Sequence, residues 1–216
     1  MEGYSSEREQ VEAIQKWWKD HGKSIVLGLA VGLLGLGGYR YWEETRNLQA
    51  ESASINYEKF LNQADDKTSK ESRVTGQAIL DNYAASIYAR LTALTLAKLA
   101  IDDAQPEQAK KHLQWVIDHP GSDQLAEIAR ARLAQLSLAD GKADAAWALL
   151  VQGGLNTGDQ LAELKADILA AQGKTAEAVV LYAKAQKLLT EGGGNPAVIE
   201  LKLERLGQIG QVGVKE

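Results

Sequence analysis

Apolar side chains recur along most of the chain at i, i+3, i+4 and i+7, and no window alternates with period two. The pattern therefore predicts an all-α protein. Polar breaks mark the helix ends: "NQADDKTSK" near 62–70, "DDAQPE" at 102–107, "HPGSD" at 119–123, "DGKAD" at 140–144, "QGGLNTGD" at 152–159, "QGKT" at 172–175 and "TEGGGNP" at 190–196. Between them the spacing predicts helices over 43–62, 70–82, 84–102, 107–118, 123–139, 143–151, 160–172, 175–190 and 196–208. Asp123 and Thr175 are expected N-caps, and Gly141 and Gly173 expected C-terminal stops. The last residues, "GQIGQVGVKE", read as a frayed end.

One stretch departs from this amphipathic spacing. Between Lys23 and Arg40 lie sixteen residues without a charge, five of them glycine. A helix needs about 20 residues to cross a hydrocarbon core, with about 17 the lower limit. The flanks make up the difference. Lys23 and Arg40 have stems long enough to reach the headgroups, and Tyr39, Tyr41 and Trp42 suit a membrane boundary. Gly28, Gly32, Gly35, Gly37 and Gly38 would make a poor helix in water, whereas a bilayer tolerates them. A cleaved secretion signal would be followed by small residues, but this segment runs into "YRYWEETRN". A buried core helix would leave the aromatic and basic cluster at one end without a reason. The expected reading is an uncleaved signal-anchor over 24–42.

Gly28 and Gly32 form a G-x-x-x-G pair, which lets a second membrane helix approach closely. So glycine-rich a run also generates that spacing by chance. Ahead of the span, "EREQVEAIQKWWKD" gathers Val11, Ile14, Trp17 and Trp18 on one helical side. That fits an amphipathic helix on a membrane surface, with a cytoplasmic docking helix as the alternative. Arg8, Lys16, Lys19 and Lys23 precede the span and Arg40, Arg46 and Lys59 follow it, a small excess that favours a cytoplasmic N-terminus.

Beyond the span the helices repeat. At an offset of 32, Gly141 falls on Gly173, Lys142 on Lys174, Ala146 on Ala178 and Leu149 on Leu181. A weaker copy precedes them, in which Ala109 takes the place of Ala146 and Ala178, and Pro120 follows near the close. A period near 34 with a small residue between paired helices describes the tetratricopeptide repeat, although alanine at helix contacts also occurs in ordinary bundles. Ala109, Ala146 and Ala178 are the expected packing positions.

Composition narrows the chemistry. The chain has 24 Lys and Arg against 29 Asp and Glu, and residues 1–42 carry five of each, so the whole net charge of −5 belongs to the remainder. An acidic remainder argues against nucleic-acid binding. Cysteine is absent, which excludes disulfides, thiolate metal sites and a cysteine nucleophile. His21, His112 and His119 have no ligand partner at metal spacing. "GGGNP" lacks the Lys-Ser/Thr of a phosphate loop, and G-x-S-x-G does not occur. No catalytic residue, cofactor, metal or small-molecule substrate is expected, and an enzyme is disfavoured.

The run Gly38-Tyr39-Arg40-Tyr41-Trp42, the following "ESASINYEKF" and the lead-in "EREQVEAIQKWWKDHGK" resemble the YfgM family, ancillary subunits of the bacterial SecYEG translocon. The resemblance covers the whole chain in order, with its most specific part at the juxtamembrane aromatics. It implies a cytoplasmic segment over 1–23, the span over 24–42, and a periplasmic tetratricopeptide-like domain over 43–216. It further implies a non-catalytic adaptor in the bacterial inner membrane whose partners are the SecYEG translocon and the membrane-anchored periplasmic chaperone PpiD. The competing expectation is a structural scaffold for cell-envelope assembly or division machinery, with the span as a plain anchor.

Overall fold

The computed structural model describes residues 3–64, 70–119, 121, 123–157, 159 and 161–212, with the side chains of 3–10, 13, 14, 20, 24–27, 30, 37, 41–48 and 208–212 left undescribed. Among the described residues there are nine helices and no strand. They are α1 (Gly3–Ala64), α2 (Lys70–Asn82), α3 (Ile87–Asp102), α4 (Pro106–Asp118), α5 (Asp123–Ala139), α6 (Ala143–Gln152), α7 (Ala162–Ala171), α8 (Thr175–Glu191) and α9 (Ala197–Val212). The chain divides into two compact units, Met1–Ser52 and Ala53–Glu216.

Expected and observed bounds agree closely for most of the second unit. α5, closed by the Gly141 turn, matches 123–139 and α2 matches 70–82, while α8 and α6 differ from expectation by one residue each. Three differences have local causes. α3 begins at Ile87 rather than near 84, because Ser86 is its N-cap and accepts from the Ala89 amide at 3.1 Å. Thr175 lies inside α8; Lys174 is the N-cap and makes no side-chain capping bond, since an ammonium has no acceptor to offer a backbone amide. The helix expected from 43 belongs to α1, which starts at Gly3 because no proline interrupts it.

The second unit is built of helix pairs. Within it α3 packs on α4, α5 on α6 and α7 on α8, and each pair packs on the next through α4–α5 and α6–α7. α3 also touches α5, and α5 touches α7, as stacked repeats require. The core runs along this stack. Phe60, Ile79, Leu113 and Val116 lie in its first part, Leu150 and Ile168 in the middle, and Tyr182 and Ile199 at the far end.

The helix ends explain the regularity. α3, α5, α6, α7 and α8 all close with the same pair of backbone bonds, as Gly173 N–H donates to the Ala170 carbonyl and Lys174 N–H to that of Leu169. The residue after the C-cap must then be left-handed: Gly141, Gly154, Gly173 and Gly193 have φ between 69° and 76°. α3 instead uses Ala104, at φ 57°. An L-residue pays about 1–2 kcal/mol there. Ala104→Gly is expected to raise stability by about 1 kcal/mol despite the greater freedom it gives the unfolded chain, read as a higher urea midpoint at unchanged slope.

In the first unit, Gly22 is buried against Trp18: a Cβ there would sit 3.2 Å from the indole. Trp17 stacks on His21 with ring centroids 5.6 Å apart. Leu29, Val31, Leu33, Leu34 and Leu36 are all exposed. Among the described residues no helix is long and apolar enough to cross a membrane. The side chains of 24–27, 30 and 37 lie outside the described residues, so the expectation of a span over 24–42 rests on the sequence.

A repeat stack as the candidate functional site

Ala109, Ala146 and Ala178 are each fully buried, on α4, α6 and α8 respectively. A methyl group at each point brings the second helix of a pair close to the first. The structure adds a fourth position that periodicity did not single out. Gly76 lies on α2, 33 residues before Ala109, and is buried. A Cβ there would come within 2.9 Å of both Phe60 Cε2 and Leu96 Cδ2. The end of α1 from Ala53 therefore pairs with α2 as the first repeat, with Phe60 and Ala53 fully buried. The signal was present as a small residue at repeat spacing, but glycine in a helix reads first as a break.

Polar rungs tie consecutive repeats. Arg73 on α2 pairs with Asp103 at the C-cap of α3, and Lys110 on α4 pairs with Asp140 after α5. In the third rung the polarity reverses: Gln172, the C-cap of α7, donates to Asp144 Oδ1 on α6 at 2.8 Å. Each rung joins an early residue of one repeat's second helix to the end of the next repeat's first helix. Exposed pairs of this kind contribute little energy each, so their role is to fix the stacking angle.

The loops are held from beneath. The Arg90 guanidinium, on buried α3, fills the space beside Gly121, where a Cβ would approach it to 2.6 Å. Lys165, buried on α7, donates to the Thr157 carbonyl at 2.9 Å and so anchors the loop before its own helix. Burial lowers the pKa of both cations.

The remaining expected positions are placed as follows. Lys23, Tyr39 and Arg40 are exposed on α1, while the side chains of Tyr41 and Trp42 lie outside the described residues. Gly28 and Gly32 are exposed, and a Cβ at either would meet nothing within 4 Å. Among the described residues no group of three His, Asp or Glu could hold a metal ion. His21 and His119 each stack on a tryptophan one turn earlier, His119 on Trp115 with centroids 3.8 Å apart and its Nδ1–H donating to the Trp115 carbonyl at 2.7 Å. An open hollow of about 350 Å³ between the end of α1 and the start of α2 is lined by Lys59, Gln63, Lys70, Glu71, Val74 and Thr75.

His112 is partly buried on α4, and burial, helped by Lys111, holds its pKa below the ordinary value of about 6.5. The unfolded chain therefore binds a proton there more readily than the folded one. The contribution is fully present above pH about 6.5 and is lost as pH falls toward the lowered folded value. His112→Gln is expected to reduce the fall in Tm between pH 7 and pH 5, measured by thermal melts at fixed ionic strength.

The chain matches the family model for a tetratricopeptide repeat-like domain over residues 15–208. It is 29% identical over 149 residues to the ancillary SecYEG translocon subunit of Escherichia coli, covering 68% of this chain and 70% of the relative. It is 27% identical over 187 residues to the protein of that name in Haemophilus influenzae, covering 85% and 91%. With the Neisseria gonorrhoeae protein of that name it shares 25% identity over 209 residues, covering 95% and 100%. No solved structure matches. Helix pairs stacked in register, small residues at their contacts and a family match over nearly the whole length agree: the chain belongs to the tetratricopeptide repeat-like domain family and is a relative of the ancillary SecYEG translocon subunits.

Proposed function

We propose that this protein is a membrane-tethered, non-catalytic adaptor associated with the SecYEG translocon, presenting its repeat domain to exported polypeptides and to periplasmic chaperones such as PpiD. The observation that carries the translocon assignment is near end-to-end similarity to proteins of that name, from the lead-in through the last helix. The repeat stack supports the adaptor role, because it offers a broad rigid surface built to hold another polypeptide.

Support for the anchor comes from the exposed apolar side chains of α1. Leu29, Val31, Leu33, Leu34 and Leu36 are between 61% and 76% exposed, and at 100° per residue they point to all sides of the helix. A helix apolar all round fits a bilayer. Lys23, Tyr39, Arg40, Tyr41 and Trp42 then mark its two boundaries, with residues 1–23 cytoplasmic and 43–216 periplasmic. Gly28 and Gly32 offer an open backbone surface to a neighbouring membrane helix.

Affinity purification from gently solubilised membranes is expected to recover SecYEG components, and their consistent absence refutes the assignment. Replacing residues 24–42 with an unrelated span separates a translocon subunit from a scaffold. The subunit loses SecYEG recovery, whereas a scaffold that merely needs an anchor retains its partners.

A further inference from the structure

α9 lies against the last described helix pair, α7 and α8. It packs on α8 through Ile199, which is 2% exposed, and through the partly buried Leu203 and Leu206, at i, i+4 and i+7. The floor beneath is shallow and made of small side chains, Ala162, Ala166, Ala178 and Ala185, with Leu169 and Tyr182. The opposite face of α9 leaves Val198 and Leu201 61% and 66% exposed. Among the described side chains of α9, a helix of 16 residues, Ile199, Leu203 and Leu206 form its apolar anchor. Such an element belongs to the low end of local stability.

A polar latch supplements the anchor. Lys202 Nζ donates to Glu163 Oε1 at 2.7 Å and to Asp167 at 2.7 and 2.9 Å, both carboxylates being on α7. Tyr182 on α8 donates its hydroxyl to the same Asp167, and Lys202 lies 5.6 Å from the tyrosine ring centroid. Burial and that bond to Asp167 raise the tyrosine pKa, so the phenol stays a donor at any physiological pH. The linker is Gly192-Gly193-Gly194-Asn195-Pro196, with Gly193 in the left-handed region and Asn195 Oδ1 capping the Ala197 amide at 3.0 Å. Gln186 Nε2 on α8 adds a hydrogen bond to Glu200 Oε1 at 3.1 Å. A short glycine linker, an apolar stripe of three described side chains and these polar ties at the edge of the stack describe a helix that can leave its groove.

We propose that α9 is a displaceable cap occupying a helix-binding groove on α7 and α8, and that the groove accepts an amphipathic partner helix with apolar residues at i, i+4 and i+7 and a basic residue at i+3. α9 states the recognition chemistry, since its own Ile199, Lys202, Leu203 and Leu206 have that spacing. Glu163 and Asp167 supply the charge complementarity that selects a basic helix and rejects an acidic one. With α9 seated the groove is closed, so a partner pays the cost of opening it. The inference is independent of how the domain is anchored and of the translocon assignment.

The test uses the full chain in detergent or nanodiscs and a labelled peptide of residues 195–212. Hydrogen exchange in α9 is expected to proceed by local opening, faster than in α3–α6, and Lys202→Glu should speed it about tenfold there alone. The peptide should bind the Lys202→Glu chain about tenfold more tightly than the wild type, because the groove carboxylates are kept while their internal partner is gone. A peptide with its own Lys202→Glu should fail to bind. Glu163→Gln, a milder change on the groove side, should loosen α9 without strengthening peptide binding. Exchange of α9 only with whole-domain unfolding overturns the proposal, as does equal peptide affinity for both chains. A Lys202→Glu chain that turns dimeric assigns the groove to a second copy and likewise overturns the partner-helix reading.

Discussion

Phe60→Ala is expected to lower the stability of the second unit by about 3–5 kcal/mol, the range for deleting a fully buried aromatic ring from a close-packed core. The ring sits against Gly76 on α2, and Tyr57 lies beside it with centroids 6.3 Å apart. It therefore closes α1 onto α2 within the first repeat, at a point where Leu96 of α3 also meets Gly76. Because stacked repeats are coupled mainly to their neighbours, the loss should be uneven. Amides in α2 and early α3 should lose protection by orders of magnitude, while those in α7 and α8 change little. Hydrogen exchange resolved by helix checks this, and uniform loss along the stack would count against the one-dimensional account. Gly76→Val probes the same contact from the other side. Its branched side chain would meet Phe60 and Leu96 well inside van der Waals distance, so a cost of about 1–3 kcal/mol is expected.

The second large effect concerns the proposed anchor. Leu33→Arg places a charge near the middle of the uncharged run, where insertion costs about 2.5–3.5 kcal/mol for a central charge. That penalty, set against a span already short and rich in glycine, is expected to move a large fraction of the protein from the carbonate-resistant membrane pellet to the supernatant. Leu33→Phe should leave the distribution unchanged. Equal retention of wild type and Leu33→Arg would refute the bilayer-spanning role of α1.

Much of the repeat unit was legible in the sequence because turn chemistry and packing chemistry there coincide. Gly141 and Gly173 sit where the backbone must turn left-handed, so the residues that end the helices also set the period. Where another residue does that work, legibility drops. Ala104 closes α3 with no glycine to announce it. Gly76 packs in a helix interior, where glycine ordinarily signals an end. The rungs were harder still. Arg73–Asp103 and Lys110–Asp140 are each 30 residues apart, a distance at which charge spacing carries no helical register. The latch on α9 depends on three helices meeting, and Lys202 alone looks like an ordinary solvated lysine.

Those rung separations also bear on how the domain reaches its native state. Most of the polar ties between helices in the second unit span 28 to 39 residues, from Gln172–Asp144 to Lys202–Glu163. No strand pairing joins distant ends among the described residues. Such a chain has low contact order, so nucleation is cheap and growth proceeds repeat by repeat. If it is delivered from its N-terminus, each helix pair meets its complete set of partners within about one further repeat. The polypeptide can then consolidate in the order in which it emerges, without waiting for its last residue.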